Sequence, residues 1–403
     1  MKTGLVSLSI SFVIASMALA CANAANNNPG GFGGNADGGD AGNTSTTESA
    51  DDPPHALGMI SLAETHASGA STSTPSVGAA FIPDSTTVAA KACGKEIDGC
   101  TIVAKPDCGG ADAGSYSSGC ASNEVCVLDE NCDSVCQPVP SCTTTCDADQ
   151  ECKLVGTKSK CVPKVEFNAG VLTLSGDGMS KTMTLRPPYT KAATDGDSPY
   201  VPEGTINVTA TGASDVGYEK FTDSFKATTF MEPKPTLSKQ LDQATVFDST
   251  DPITIAWKPG ADEVQITVTG NKGSAVCKAD DASGTFDITR KVWKQIYQDD
   301  SSSYSTPSVS FAVARVRTEV KKDKKTMGKI TGTDLPPVGF VRYVTQSTET
   351  YTAQGCPSGQ KLCPSSYSGG TPACTSVLSD TYNCGQCGKV CPSGKYCSSG
   401  VCY

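Results

Sequence analysis

The sequence predicts a mainly β protein: a β-sandwich or jelly-roll-like body with one short helix, carrying two small disulfide-rich modules. Three observations predict it. Short β-prone runs recur along the chain, separated by Gly, Pro, Asp and Ser. Cysteine is abundant, 21 Cys against 2 His, and almost all of it falls in two dense clusters. Aromatic residues make up only 6% and hydrophobic residues 37%, beside 40 Gly and 24 Pro, so the cores are modest and covalent staples compensate.

The chain opens with a basic residue, Lys2, followed by the uncharged apolar run Leu5–Ala20. The run is shorter than the roughly 20 residues that a membrane span needs, so residues 1–20 read as a secretory signal peptide. Ala18-Leu19-Ala20 before Cys21 resembles the lipobox of bacterial lipoproteins, although Ala18 stands where that pattern prefers Leu. The competing site, Ala22-Asn23-Ala24, would release a soluble protein. The resemblance implies a lipid on Cys21 and an outer-membrane or surface location, because Ala22 is not the Asp that retains many lipoproteins at an inner membrane. Otherwise the protein is extracellular. The rest of 21–54 is rich in Asn, Gly, Asp, Ser and Thr. Such a composition cannot offset its ordering entropy, so a disordered tether with a reach of roughly 30 Å is expected.

Runs at Met59–Leu62 and Val77–Ile82 read as strands, and so does the stretch around Cys100. Further strands are expected at Val171–Ser175, Lys181–Arg186, Thr205–Thr211, Ile253–Trp257, Val264–Thr269, Ser308–Val320 and Gly339–Thr345. Ile253, Ile255 and Trp257 alternate, as do Val264, Ile266 and Val268, which marks half-buried strands. Ile288, Val292, Trp293, Ile296 and Tyr297 form a helical stripe that Asp287 or Thr289 caps. Trp257 and Trp293 are assigned to the core; the alternative for Trp293 is an exposed platform for a sugar. One β-domain is expected over 56–350, with a cysteine-rich insertion at 108–163 and a second cysteine-rich module at 356–403.

Removal of Cys21, by lipidation or cleavage, leaves an even number of cysteines, as full pairing requires. The expected partition groups Cys93, Cys100 and Cys108 with the isolated Cys277. Cys120, Cys126, Cys132, Cys136, Cys142, Cys146, Cys152 and Cys161 form a second group. Cys356, Cys363, Cys374, Cys384, Cys387, Cys391, Cys397 and Cys402 form the third. Cys277 then pairs with Cys93, Cys100 or Cys108. C-x3-C-x5-C recurs at Cys132/136/142, Cys142/146/152 and Cys387/391/397, which suggests one small hairpin unit used repeatedly. Zinc is disfavoured: only Cys384 and Cys387 have C-x-x-C spacing, and no His follows His66.

The tail from Asp380 to Cys402 carries D-x-x-N-C-G-x-C-G-x-x-C followed by x5-C-x4-C. It resembles the stigma-specific cysteine-rich family, closely over these residues and more loosely back to Cys356. The resemblance implies an extracellular disulfide module without enzymatic activity. Asn383, Gly385 and Gly388 suit tight turns. The overall layout also looks like that of surface lipoproteins of Gram-negative soil bacteria.

The net charge of −10 disfavours nucleic acid, whose phosphates need a positive surface. One basic run, Lys321-Lys322-Asp323-Lys324-Lys325 with Arg315 and Arg317 before it, reads as a solvated hairpin tip or, more sharply, a contact for an acidic glycan. No H-E-x-x-H, G-x-S-x-G or Walker loop occurs. His55 and His66 lie in or near the tether; Glu64 and His66 share a strand face, but two such groups make an incomplete metal site and read as solvated surface. Asp147, Asp149 and Glu151 hint at a calcium loop but lack the length of an EF-hand. The expected protein is therefore a non-catalytic surface module with no cofactor, a membrane partner through its anchor and a glycan or protein ligand. The alternatives are a disulfide-rich inhibitor or signalling ligand, and a carbohydrate hydrolase using two carboxylates.

Overall fold

The computed structural model describes residues 55–83, 93–104, 108, 120–121, 124–128, 133–139, 141–142, 145–146, 150–155, 158–163, 167–191, 198–213, 216–298, 307–327, 329–330, 333–334, 338–356, 360–363 and 373–403. The signal region, Cys21 and the tether lie outside these residues, as do Asp147 and Asp149. The fold is mainly β, with several sheets and small disulfide-rich hairpins.

Two long strands, Ser308–Met327 and Val338–Gln354, form the axis of a ten-stranded sheet. They pair antiparallel from Ser308↔Gln354 to Lys325↔Val338, with a bulge between Lys321 and Lys324. Ala56–Ala67 adds parallel to the second long strand, and Thr74–Ile82 then pairs antiparallel with it. On the other flank come Glu263–Thr269, Ser274–Asp280, Cys100–Val103 and Gly94–Ile97. The last two strands form a hairpin through Asp98 and Gly99, whose positive φ values of 48° and 79° match the right-handed twist of the flanking strands. The buried disulfide Cys100–Cys277 joins opposed residues of neighbouring strands.

Side chains alternate across this sheet, and one face carries two cores. In the first, a four-stranded sheet of Met183–Leu185, Leu172–Ser175, Thr205–Ala210 and Phe221–Lys226 lies against the large sheet. Leu172, Leu174, Ile206, Val208 and Phe225 pack with Ile60, Leu62 and Tyr343. In the second, the paired strands Ile253–Ala256 and Thr285–Ile288 and the helix Arg290–Ile296 pack on Ile266, Val268, Phe311 and Val313. Thr289 caps that helix, accepting from the Val292 amide at 3.4 Å. Trp257 and Trp293 are both buried in this second core, so Trp293 is not a sugar platform.

A polar seam separates the cores, and a crossing segment of chain explains it. Residues 227–237 run between the layers without belonging to a sheet. Three of their amides are satisfied by side chains along one face of the second long strand. Thr228 donates to Thr345 Oγ1 at 2.8 Å, Met231 to Ser347 Oγ at 2.9 Å and Leu237 to Glu349 Oε1 at 3.0 Å. The first long strand serves the carbonyls: Arg315 Nη1 donates to Phe230 O at 2.7 Å, and Arg317 Nη1 to Ala227 O at 2.8 Å. Buried backbone groups need such partners, so a polar strand centre here is a requirement and not a defect.

The same strand centre corrects one sequence reading. Arg315 and Arg317 do not join a basic patch. Arg315 is buried against Asp281, with Nη2 donating to Oδ1 at 2.8 Å, and Arg317 lies 2.6 Å from Asp262. The neighbouring lysines sit within the long strand and not at a solvated tip: Lys321 pairs with Glu319, Lys324 with Asp223, and Lys322 lies over the Phe340 ring. Asp281 also accepts from Trp257 Nε1 at 3.0 Å and from the Asp262 amide at 3.1 Å. Replacing Arg315 with Met strands that carboxylate in the interior; the expected loss is about 3–5 kcal/mol. Urea unfolding with the disulfides intact measures it, and a loss below about 1 kcal/mol would show the pair to be dispensable.

Candidate functional site

Two features stand apart from ordinary core packing. The first is a carboxylate–histidine cluster at the end of the strand Ala56–Ala67. The parallel register places Glu64 opposite Ser347 and His66 opposite Glu349. His66 Nδ1 lies 3.5 Å from Glu64 Oε2, and Nε2 lies 3.5 Å from Glu349 Oε2. Both carboxylates are buried, so the sequence reading of Glu64 and His66 as solvated surface is overturned. His55 likewise belongs to the body, stacked on the Phe340 ring at 3.7 Å.

Hydrogen bonding to Glu349 and then to Glu64, against the opposing effect of burial, raises the His66 pKa from 6.5 to about 9. Glu349 moves the other way. Burial would raise it, but the hydrogen bonds from His66, Ser68 and the Leu237 amide together hold it below its ordinary 4.5. Ser347 Oγ donates to Glu64, not to His66. Burial followed by the Glu64 charge pushes the Tyr200 pKa up, against the opposing effect of Ser347. The chemistry follows from this wiring. The imidazole is held between two buried carboxylates, one at each ring nitrogen. The cluster acts as a clamp that fixes the short helix Leu237–Gln240 to the sheet through Glu349.

A raised histidine pKa stabilises the fold below pH 6.5, and the contribution disappears as pH rises through about 9. Glu349 has a depressed pKa, so its contribution holds above pH 4.5 and fades as pH falls through its folded-state value. His66→Gln is therefore expected to cost about 2–3 kcal/mol at pH 6 and to flatten the stability profile above neutrality. Unfolding curves recorded between pH 6 and pH 10 test this, and a profile unchanged by the substitution would contradict it.

The second feature is a unit of four cysteines that occurs three times. In each unit the first cysteine bonds the third and the second bonds the fourth. The bridges are Cys108–Cys126 with Cys120–Cys136, Cys142–Cys152 with Cys146–Cys161, and Cys384–Cys397 with Cys391–Cys402. The third and fourth cysteines face each other across a hairpin: Cys126↔Cys136, Cys152↔Cys161 and Cys397↔Cys402. In every unit the first, second and fourth sulfurs lie within 4.8 Å of one another. These sulfurs are all in disulfides, so they offer no thiolates to a metal.

The expected partition of the cysteines changes accordingly. Cys277 pairs with Cys100, but Cys108 bonds Cys126, so the first group is not closed. Cys93 is also disulfide-bonded. The repeat Cys132/136/142 is not one unit, because Cys136 and Cys142 belong to different ones. The five-residue spacing read at Cys146/Cys152 and Cys391/Cys397 also separates Cys120 from Cys126, the instance that sequence reasoning missed. The C-terminal group is closed on itself, adding Cys356–Cys374 and Cys363–Cys387.

Polar turns set up this last unit. Asp380 Oδ1 accepts from the Tyr382 amide at 2.7 Å, and Asn383 Oδ1 from the Gly388 amide at 2.8 Å. Gly385 has φ 79° and lies so near Gly400 that a Cβ would meet its carbonyl oxygen at 2.6 Å. The cystines Cys384, Cys391 and Cys397 form the buried centre of the module. Leu378, Tyr382, Val390, Tyr396, Val401 and Tyr403 remain exposed around it.

The C-terminal segment is thus a small cystine-centred module with apolar side chains on its outside. Residues 345–403 match the model of the stigma-specific STIG1-like protein family. The match spans the module and the end of the second long strand, a minor part of the chain. No curated protein and no solved structure matches the chain.

Proposed function

We propose that the protein is exported, held on a membrane through a lipid on Cys21, and acts as a non-catalytic binding or adhesion protein at an outer membrane or cell surface. The observation that carries this reading is the oxidation state. Every cysteine among the described residues is disulfide-bonded, and such a framework is characteristic of an oxidising compartment. The modules supply rigid, apolar-faced hairpins of a kind suited to contacts with a ligand.

No helix among the described residues is long and apolar enough to cross a membrane. Attachment in this proposal is through the lipid, and two or three acyl chains suffice because each buried CH₂ contributes about 0.8 kcal/mol. A second reading, a disulfide-rich signalling ligand or inhibitor, is favoured by the family match falling on the C-terminal module, whose bridges all close within it.

Mass spectrometry of the mature N-terminus, with alkylation of the native protein, separates these outcomes. A diacylated Cys21 and no alkylated thiols support the surface-protein reading. A free Ala25 would favour the soluble ligand. Residues 1–20 intact in the cytosol, with open thiols, would overturn both.

A further inference from the structure

We propose that Tyr396 and Tyr403 form a stacking platform for a neutral chain of pyranose sugars. This deepens, and rests on, the reading of the C-terminal module as a binding surface.

The pair is built into the backbone. The Tyr396 amide donates to Tyr403 O at 3.1 Å, and the Tyr403 amide to Tyr396 O at 2.9 Å. One step along the hairpin, Cys397 faces Cys402, and each is bonded back to the preceding loop. Ser399 and Gly400, with φ 48° and 79°, close the turn. The two rings therefore stand side by side on a covalently fixed frame. Their centroids are 6.2 Å apart and their planes differ by 30°. Tyr396 is 64% exposed and Tyr403 54%. A tyrosine has only two side-chain torsions to order, so little entropy is lost when such a surface is covered.

The other two units serve as internal controls. The residue before the third cysteine and the residue after the fourth are Val125 and Gln137 in the first unit, paired in register. They are Glu151 and Val162 in the second. The same cystine frame thus forms with no aromatic residue at either position. The tyrosines are not needed to build the hairpin, and leaving two aromatic rings in water forgoes the stabilisation that burial would bring. A ligand that covers both rings would recover that stabilisation.

The chemistry around the pair narrows the occupant. Residues 373–403 contain one Asp, Asp380, and two Lys, Lys389 and Lys395. The side chains of these residues are close to neutral, and the whole chain carries −10, which disfavours a polyanion as partner. Two neighbouring rings tilted by 30° offer electron-rich faces, which suit the weakly positive C–H face of a pyranose. A linear glycan presents such faces at regular intervals along one chain, and adjacent rings can take successive sugars.

The test uses the full mature chain with its disulfides intact, confirmed by non-reducing mass analysis for every variant. Cellohexaose and chitohexaose are titrated calorimetrically into wild type, Tyr396→Ala, Tyr403→Ala and the two Tyr→Phe variants. The expected result is binding of at least one hexaose, weakened about tenfold or more by each Ala substitution. The Phe variants keep the stacking face and are expected to stay within about threefold of wild type. Wild type that binds neither hexaose overturns the proposal, and so do Ala variants that bind like wild type. A parallel measurement of adsorption to whole cells distinguishes the two levels. Adsorption without hexaose binding defeats the glycan while leaving the binding-module reading intact, whereas loss of both defeats both.

Discussion

Two cystines set side by side at the base of a short hairpin are the constraint on which the outward-facing parts of this protein depend. The hairpins are too small to enclose an apolar core. In the C-terminal unit the buried centre consists of Cys384, Cys391 and Cys397 themselves. Interleaving the bridges, first to third and second to fourth, ties both strands to the loop that precedes them. The loops cannot drift, and the unfolded chain loses much of its freedom. Side chains are then free of any duty to pack, and this is why the module can hold large residues such as Tyr382 and Tyr396 in solvent.

The body solves a different problem. Its two cores lie on one sheet, and a segment without regular pairing crosses between them. Thr345, Ser347 and Glu349 accept that segment's amides, while Arg315 and Arg317 donate to its carbonyls. Charges so placed need their own partners, and Asp281, Asp262 and His66 supply them. The seam is thus one connected set of polar contacts, and each member is held because another group would otherwise be left without a partner in the interior.

Much of this was legible in the sequence wherever burial followed alternation. Ile253, Ile255 and Trp257, and likewise Val264, Ile266 and Val268, have the expected period and face the core. The helix stripe around Val292 and Trp293 was readable for the same reason. What escaped notice were the buried polar stretches. The strand beginning at Gly339 was expected to end at Thr345 because Gln346, Ser347, Thr348 and Glu349 look like surface, yet it continues to Gln354. The first strand was expected at Met59–Leu62 but runs on through Glu64 and His66 to Ala67. In the second long strand the polar side chains answer a distant segment's backbone, and in the first strand Glu64 and His66 answer Ser347 and Glu349; local periodicity encodes neither. The cysteine units were half legible: their repetition showed, but the bonding partners depend on which residues oppose each other across a hairpin.

The central claim is that one four-cysteine unit, with interleaved bridges, is used three times in place of a core. Peptide mapping under non-reducing conditions tests it most directly. The account predicts linked peptides joining Cys108 to Cys126, Cys142 to Cys152 and Cys384 to Cys397, each accompanied by the bridge between the second and fourth cysteines of its unit. Nested or sequential pairing within any unit, or a bridge running from one unit to another, would contradict it.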